Sequence, residues 1–198
     1  MNLSFLPNFI TLLRVFLLIP LSIVLLNEQY FSALILFVIA GFSDALDGFL
    51  AKQFSWISRF GAILDPLADK ALLVITMSLL VYNQQLSWIL LLVVFVRDIY
   101  IVVGAYYYHY RLGPYEMQPS NLSKFNTFVQ LLLVTTLLVS LGFYQLPTLF
   151  IEGLILLTYV TTIASGIHYG WVWGGKFRQE IKRRKQQSGQ SSNQQREQ

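Results

Sequence analysis

The sequence predicts an all-α, polytopic membrane protein with six transmembrane helices. Three observations carry that prediction. The 198 residues are 55% hydrophobic and only 12% charged, with mean hydropathy +0.56, whereas a soluble domain carries about 25% charged residues. The apolar residues gather into six runs, each near the roughly 20 residues that a membrane-crossing helix needs. Alternate connections contain no Lys or Arg, the bias that orients a membrane protein.

The first run covers 8–27 and is expected to break at Pro20. The segment before it, Met1 to Pro7, lacks the basic region of a cleaved signal peptide, so the run reads as a permanent helix. The second run is 31–52, the third 60–82, the fourth 87–110, the fifth 121–143 and the sixth 147–173. Polar, Gly or Pro residues punctuate them, at Asn27-Glu28-Gln29, Tyr82 to Ser87, Gly113-Pro114 and Gln145 to Pro147. Short connections predict that helices adjacent in sequence are antiparallel neighbours in space. Residues 1–175 form one membrane domain with no internal repeat and no room for a soluble module. Residues 176–198 form a tail, first basic and then Gln/Ser/Asn-rich, expected to be disordered. The absence of cysteine excludes disulfides and thiolate metal sites.

The connections 27–31, 82–87 and 143–147 contain no Lys or Arg. The other side carries Lys52, Arg59, Arg111, Lys124 and the cluster Lys176, Arg178, Lys182 to Lys185. Both termini and the 53–59 loop therefore face the cytoplasm. The net charge of +4 and the pI near 9.3 arise largely from the tail. A juxtamembrane basic cluster meets anionic lipid, so nucleic acid is not an expected partner.

Four of the five aspartates fall between Asp44 and Asp69. A carboxylate at the bilayer centre costs about 2.5–3.5 kcal/mol, and four near it would cost up to about 10 kcal/mol. Divalent cations are the usual offset for clustered carboxylates. Asp44 and Asp47 are three apart on the second helix, and Asp65 and Asp69 four apart on the third, so each pair shares a face. Gly48, Ala51 and Gly61 leave space for a ligand or a close backbone. All-oxygen hard ligands suit Mg2+ or Mn2+, and four carboxylates suffice for two ions, as in phosphoryl chemistry. Two rival classes are a structural charge cluster, in which Lys52, Arg59 and Lys70 balance the acids, and a cation carrier. Four acids against three bases at helical spacing disfavour the first. The lack of repeats and of midplane acids disfavours the second.

The stretch Asp44–Asp69 resembles the signature of the CDP-alcohol phosphatidyltransferase family, D-x2-D-G-x2-A-R-x8-G-x3-D-x3-D. Every fixed position matches except one, where Lys52 stands for the usual Arg. The resemblance extends from Pro7 to about residue 170. It implies six helices, a homodimer and a cytoplasm-facing polar pocket open to the lipid. It also implies that Asp44, Asp47, Asp65 and Asp69 surround two divalent ions, that Asp69 is the catalytic base, and that Gly48, Ala51, Lys52 and Gly61 line the CDP site. Lys52 neutralises a phosphate as a point charge but cannot grip it bidentately. The implied reaction moves a phosphatidyl group from CDP-diacylglycerol to an alcohol and releases CMP. Direct transfer needs only positioning, charge stabilisation and a base. No Ser or Cys with a nearby His suggests a covalent intermediate.

Residues outside the signature bear on the acceptor. Arg97-Asp98 interrupt the apolar run Leu90 to Val103, and Lys124, Thr127 and Gln130 lie roughly on one face of the fifth helix. Arg97 and Lys124 are candidates for binding the phosphate of an acidic acceptor; the bland alternative for Arg97 is an ion pair with Asp98 or a neighbour. Val96-Arg97-Asp98, the Ser123-Lys124-x-Asn126-Thr127-x-x-Gln130 segment and the Tyr-rich 106–110 segment look like cardiolipin synthases of the eukaryotic type. Pro7-Asn8-Phe-Ile-Thr11-Leu-Leu-Arg14 is similar to the opening segment of phosphatidylglycerophosphate and cardiolipin synthases, which adds Asn8 and Arg14 to the acceptor candidates. Phosphatidylglycerol is therefore the expected acceptor, with glycerol-3-phosphate as the alternative. His109 and His168 sit among tyrosines and read as interfacial packing, and Trp171 and Trp173 as the aromatic belt of the sixth helix. Glu152 fits either a helix N-terminal acid or a dimer contact.

Overall fold

A computed structural model describes the backbone of residues 6–54, 61–112 and 120–194, and the side chains of 13–43, Ala68, 70–104, Tyr106 and 120–171. Six helices make up the fold: α1 (Leu6–Leu26), α2 (Tyr30–Phe54), α3 (Gly61–Tyr82), α4 (Trp88–Leu112), α5 (Asn121–Gly142) and α6 (Thr148–Gln194). No strand occurs among the described residues. The six helices coincide with the six apolar runs, with two departures. Pro20 does not break α1, which stays helical through it; apolar helices tolerate an internal proline where neighbouring elements support the freed carbonyl. α6 continues past the apolar run, through the basic cluster, to Gln194. Residues 182–187 are all Lys, Arg or Gln, good helix formers, and the helix runs on through Gly189 where composition alone suggested a disordered tail.

Helix order in space departs from helix order in sequence. α1 packs on both α2 and α3, α2 also packs on α5, and α6 packs on both α5 and α4. Among the described residues α2 and α3 touch only slightly, and the backbones of α4 and α5 do not approach each other. The expectation that sequence neighbours pack together therefore fails for α4 and α5. The reason is that α6 offers small and polar residues, Thr162, Ser165, Gly166 and Gly170, on which both α4 and α5 can lie closely. The apolar core joins Leu21 and Leu25 of α1, Phe37 of α2, Met77 and Leu80 of α3, Leu90 and Val94 of α4, and Leu133 and Leu138 of α5.

The connections at the end without Lys or Arg are tightly built. Glu28 and Gln84 follow α1 and α3 with φ of 57° and 60°, the left-handed region. In each turn two amides return to the helix end: Glu28 N to Leu25 O and Gln29 N to Val24 O, then Gln84 N to Val81 O and Gln85 N to Leu80 O. This double closure satisfies carbonyls that the helix ends leave open. Asn83 Nδ2 also donates to Leu25 O at 2.7 Å, tying the end of α3 to the end of α1. At the same end, Phe31 stacks on Phe143 with ring centroids 6.3 Å apart.

Large apolar side chains dominate the described outer surface. Phe16, Ile19, Phe42, Val102, Leu156 and Ile167 are each more than half exposed, a density that suits contact with lipid. Among the described residues, two helical segments are long and apolar enough to cross a membrane, Asn121–Gly142 and Thr148–Trp171.

Candidate active site

The four clustered aspartates lie on described helical backbone, Asp44 and Asp47 on α2 and Asp65 and Asp69 on α3. Their side chains lie outside the described residues, as do those of Asn8, Ala51 and Lys52 and the surroundings of Gly48 and Gly61. The register of the two helices is informative nonetheless. On α2 the buried residues Ala33, Phe37 and Ala40 follow a four–three spacing, and positions 44 and 47 continue it. On α3 the buried stripe Leu72, Thr76 and Leu80 is continued backwards by positions 69 and 65. Residues three and four apart share a helix face. All four aspartate positions thus prolong the stripes that face the bundle interior. Ala68, between Asp65 and Asp69, is itself buried.

Among the described residues no group of three or more His, Asp or Glu side chains is arranged to hold a metal. The donor set that fits a divalent ion is the carboxylate quartet. It consists wholly of hard oxygens, it lies on two interior-facing stripes, and it contains no nitrogen or sulfur that would favour a softer metal.

Arg97 is the hub of a second polar cluster, and only 6% of it is exposed. Its Nη1 donates to Asp98 Oδ1 at 2.8 Å, and its Nη2 to Ser123 Oγ of α5 at 2.6 Å and to Ser165 Oγ of α6 at 2.5 Å. The guanidinium also lies 5.9 Å from the centroid of the Tyr169 ring, within cation–π range. Tyr169 in turn accepts from the Ser120 amide, at the start of α5. Asp98 Oδ2 meets the Lys70 ammonium of α3. One arginine thus joins α4 to α5 and α6, and its neighbour joins α4 to α3. The ion pair expected as the bland alternative for Arg97 is present.

The remaining acceptor candidates are dispersed. Lys124 is exposed and, with Ser123, Thr127, Phe128 and Leu131, lines an open hollow of about 360 Å3. Arg97 lines a different groove of about 520 Å3 between α4 and α6, with Val96, Tyr100, Thr162, Gly166 and Gly170. Arg14 is fully buried in α1 and engaged within the bundle. His168 is exposed and meets Tyr169 edge to face, Trp171 is 82% exposed and Glu152 is exposed near the start of α6. The side chains of His109 and Trp173 lie outside the described residues.

Sequence reasoning missed Ser165 and the Lys70–Asp98 contact. It also missed the seam in which Asn126 Oδ1 accepts from Thr161 and Thr162 while Gln130 reaches Thr162. The signal was present: Thr158, Thr162, Ser165 and Tyr169 recur at helical spacing on α6, opposite Ser123, Asn126 and Gln130 on α5.

Comparison with known proteins bears on the same segments. The sequence model of the CDP-alcohol phosphatidyltransferase family matches residues 4–164, a range that contains all four clustered aspartates. The chain is similar to proteins named cardiolipin synthase (CMP-forming) from Rattus norvegicus and Homo sapiens, with 32% identity to each over 89% of its length. It spans 63% and 64% of the lengths of those two relatives. It is also similar to a CDP-diacylglycerol–glycerol-3-phosphate 3-phosphatidyltransferase from Haemophilus influenzae, 36% identical over 50% of the chain and 55% of that protein. With the family model covering most of its residues, the chain belongs to the CDP-alcohol phosphatidyltransferase family.

Proposed function

We propose that this protein transfers a phosphatidyl group from CDP-diacylglycerol to the hydroxyl of phosphatidylglycerol, giving cardiolipin and CMP. The observation that carries the reading is the register of the aspartates. Four carboxylate positions of the family signature prolong the interior-facing stripes of α2 and α3. Members of the family are membrane proteins and generally depend on a divalent metal. The relatives named cardiolipin synthase match along most of the chain, which supports phosphatidylglycerol as acceptor.

In this reading Asp44, Asp47, Asp65 and Asp69 hold two divalent ions, Mg2+ or Mn2+. When bound, such ions supply charge neutralisation at the pyrophosphate of the CDP-lipid. Asp69 takes the proton of the acceptor hydroxyl. The acceptor oxygen bonds to the phosphatidyl phosphorus as the bond from that phosphorus to the CMP oxygen breaks. Gly48, Ala51 and Gly61 leave room for the nucleotide, and Lys52 neutralises one of its phosphates. Lys124 and Asn8 are left for the acceptor side, since Arg97 and Arg14 are buried within the bundle and Arg97 is held by Asp98, Ser123 and Ser165.

The same reading makes residues 1–175 a membrane domain of six transmembrane helices and 176–198 a basic cytoplasmic tail. The pocket opens toward the cytoplasm, both termini lie there, and the protein works as a homodimer. The charge asymmetry of the connections supports the orientation. The test is to incubate the purified protein with CDP-diacylglycerol plus either phosphatidylglycerol or glycerol-3-phosphate, and to resolve the lipids formed. Cardiolipin from the first pair is expected. Phosphatidylglycerophosphate from the second, with no cardiolipin, would assign the alternative acceptor. No CMP release with either acceptor would leave only a cation-binding or transport role in the membrane.

A further inference from the structure

We propose that Asp98 is a positioning residue that fixes the register of α3 at the candidate catalytic carboxylate; the inference rests on the function proposed above. Lys70 immediately follows Asp69, and its ammonium is held by Asp98 Oδ2 of α4. The other oxygen of the same carboxylate accepts from Arg97 at 2.8 Å. Arg97 is in turn fixed by Ser123 of α5 and Ser165 of α6. A continuous polar chain therefore runs from the residue beside Asp69 to three other helices.

Apart from the Asn83–Leu25 bond at its far end, α3 depends on apolar packing, mainly against α1, through Leu72, Leu73, Met77 and Leu80. Apolar burial is non-directional, so it holds α3 in the bundle but constrains small rotations and slides only weakly. A carboxylate shared between two cations from different helices is directional. It acts on the side of α3 that faces α4, where the two helices touch over a short length. Consecutive Cα atoms lie about 3.8 Å apart, so a tie at Lys70 is transmitted directly to the backbone of Asp69. Reaction geometry is sensitive at this scale: a misplacement of about 1 Å can cost about 100-fold in rate.

Asp98 and Lys70 touch no substrate in this account, so their loss affects turnover rather than binding. The experiment compares Asp98→Asn, Asp98→Glu, Lys70→Met and the Asp98→Asn/Lys70→Met double variant in the full chain. The quantities read are kcat, KM for CDP-diacylglycerol, and the thermal unfolding midpoint in detergent. Asp98→Asn and Lys70→Met should each lower kcat about 10- to 100-fold, the range for supporting partners of a site, with little change in KM. The double variant should be no slower than the slower single one, because the two residues act as a unit. Asp98→Glu should recover much of the rate. If Asp98→Asn does not fold, Lys70→Met decides, since Lys70 is 40% exposed and its removal leaves the Arg97 contacts in place. Unchanged kcat in folded Lys70→Met, multiplicative losses in the double variant, or losses that follow the unfolding midpoint would overturn the proposal. A wild-type protein that releases no CMP overturns the proposed function as well; active wild type with unaffected variants overturns this inference alone.

Discussion

Asn126 of α5 accepts a hydrogen bond from Thr162 of α6 at 2.9 Å, at a depth where neither side chain has any exposed surface. The same carboxamide oxygen accepts from Thr161 at 3.0 Å, while its Nδ2 is buried with no hydrogen-bond partner. A half-satisfied amide between two apolar helices costs energy through its nitrogen and contributes specificity through its oxygen. Interhelical hydrogen bonds in membranes are worth about 0.6 kcal/mol on average and up to about 1.7. Thr162 makes its only described side-chain contacts here, to Asn126 and Gln130, whereas Thr161 can fall back on its own helix carbonyls. Asn126→Leu should therefore destabilise the fold by about 1 kcal/mol, measured by denaturant unfolding in detergent. Stabilisation by that variant would mean that the buried nitrogen outweighs both oxygen contacts.

Gly142 ends α5 against the start of α2. A Cβ there would lie 2.5 Å from Phe31 N and 2.7 Å from Tyr30 C, and backbone atoms cannot step aside. Gly142→Ala should cost about 1–3 kcal/mol, the usual range for forcing a methyl into a filled site, and should disturb the Phe31–Phe143 stack. Gly153 has nothing within 4 Å of its Cβ position, so Gly153→Ala is the matched control and should be neutral or stabilising in helix α6. Equal unfolding of the two variants would contradict the close α2–α5 approach.

Arg97 and Lys124 should separate when each is removed. Arg97→Ala strips a 94%-buried cation from Asp98, Ser123 and Ser165 together. Breaking a buried pair costs about 3–5 kcal/mol, so the expected result is an unfolding transition shifted too far for kinetics to be read. Lys124 is exposed, so Lys124→Ala should unfold like wild type and raise KM for phosphatidylglycerol more than KM for CDP-diacylglycerol. Lys52→Ala should show the reverse preference. Equal effects of Lys124→Ala and Lys52→Ala on both substrates would mean that neither cation distinguishes donor from acceptor.

The helical fold was legible because hydrophobic runs of membrane length leave few alternatives. All six helices appear where the runs fall, and the Asp44–Asp69 pattern lies on two of them. The pairing of helices was not legible. It depends on close approaches such as Gly142 to Phe31 and Gly170 to the Tyr100 hydroxyl, which a window of hydropathy does not register. Arg97-Asp98 stood out as charges in an apolar run, but their partners lie on other helices at Lys70, Ser123 and Ser165. Ser and Thr in apolar segments also bond to their own helix, as Thr76 does to Leu72 O, so their presence alone does not mark an interhelical contact.

Asp69→Asn should distinguish a proton acceptor from a purely structural carboxylate. As base, Asp69 is needed for turnover, so the variant should retain substantial binding of CDP-diacylglycerol, read by equilibrium binding in detergent, and lose most CMP release. Parallel loss of binding and turnover would make Asp69 chiefly a ligand of the divalent ion. Retained turnover would give the proton to another group.

The carboxylates of α2 and α3 are proposed to form a divalent-metal site for transfer from a CDP-lipid. The most direct measurement is CMP release from CDP-diacylglycerol in the presence of phosphatidylglycerol, by wild type and by Asp65→Asn, with chelator and then with Mg2+ or Mn2+ restored. Release by wild type should be abolished in chelator and recovered with either ion. Asp65→Asn should release almost none at any metal concentration, because a neutral amide does not balance a divalent charge. Full activity of wild type in chelator, or of Asp65→Asn with metal, would contradict a metal site on these carboxylates.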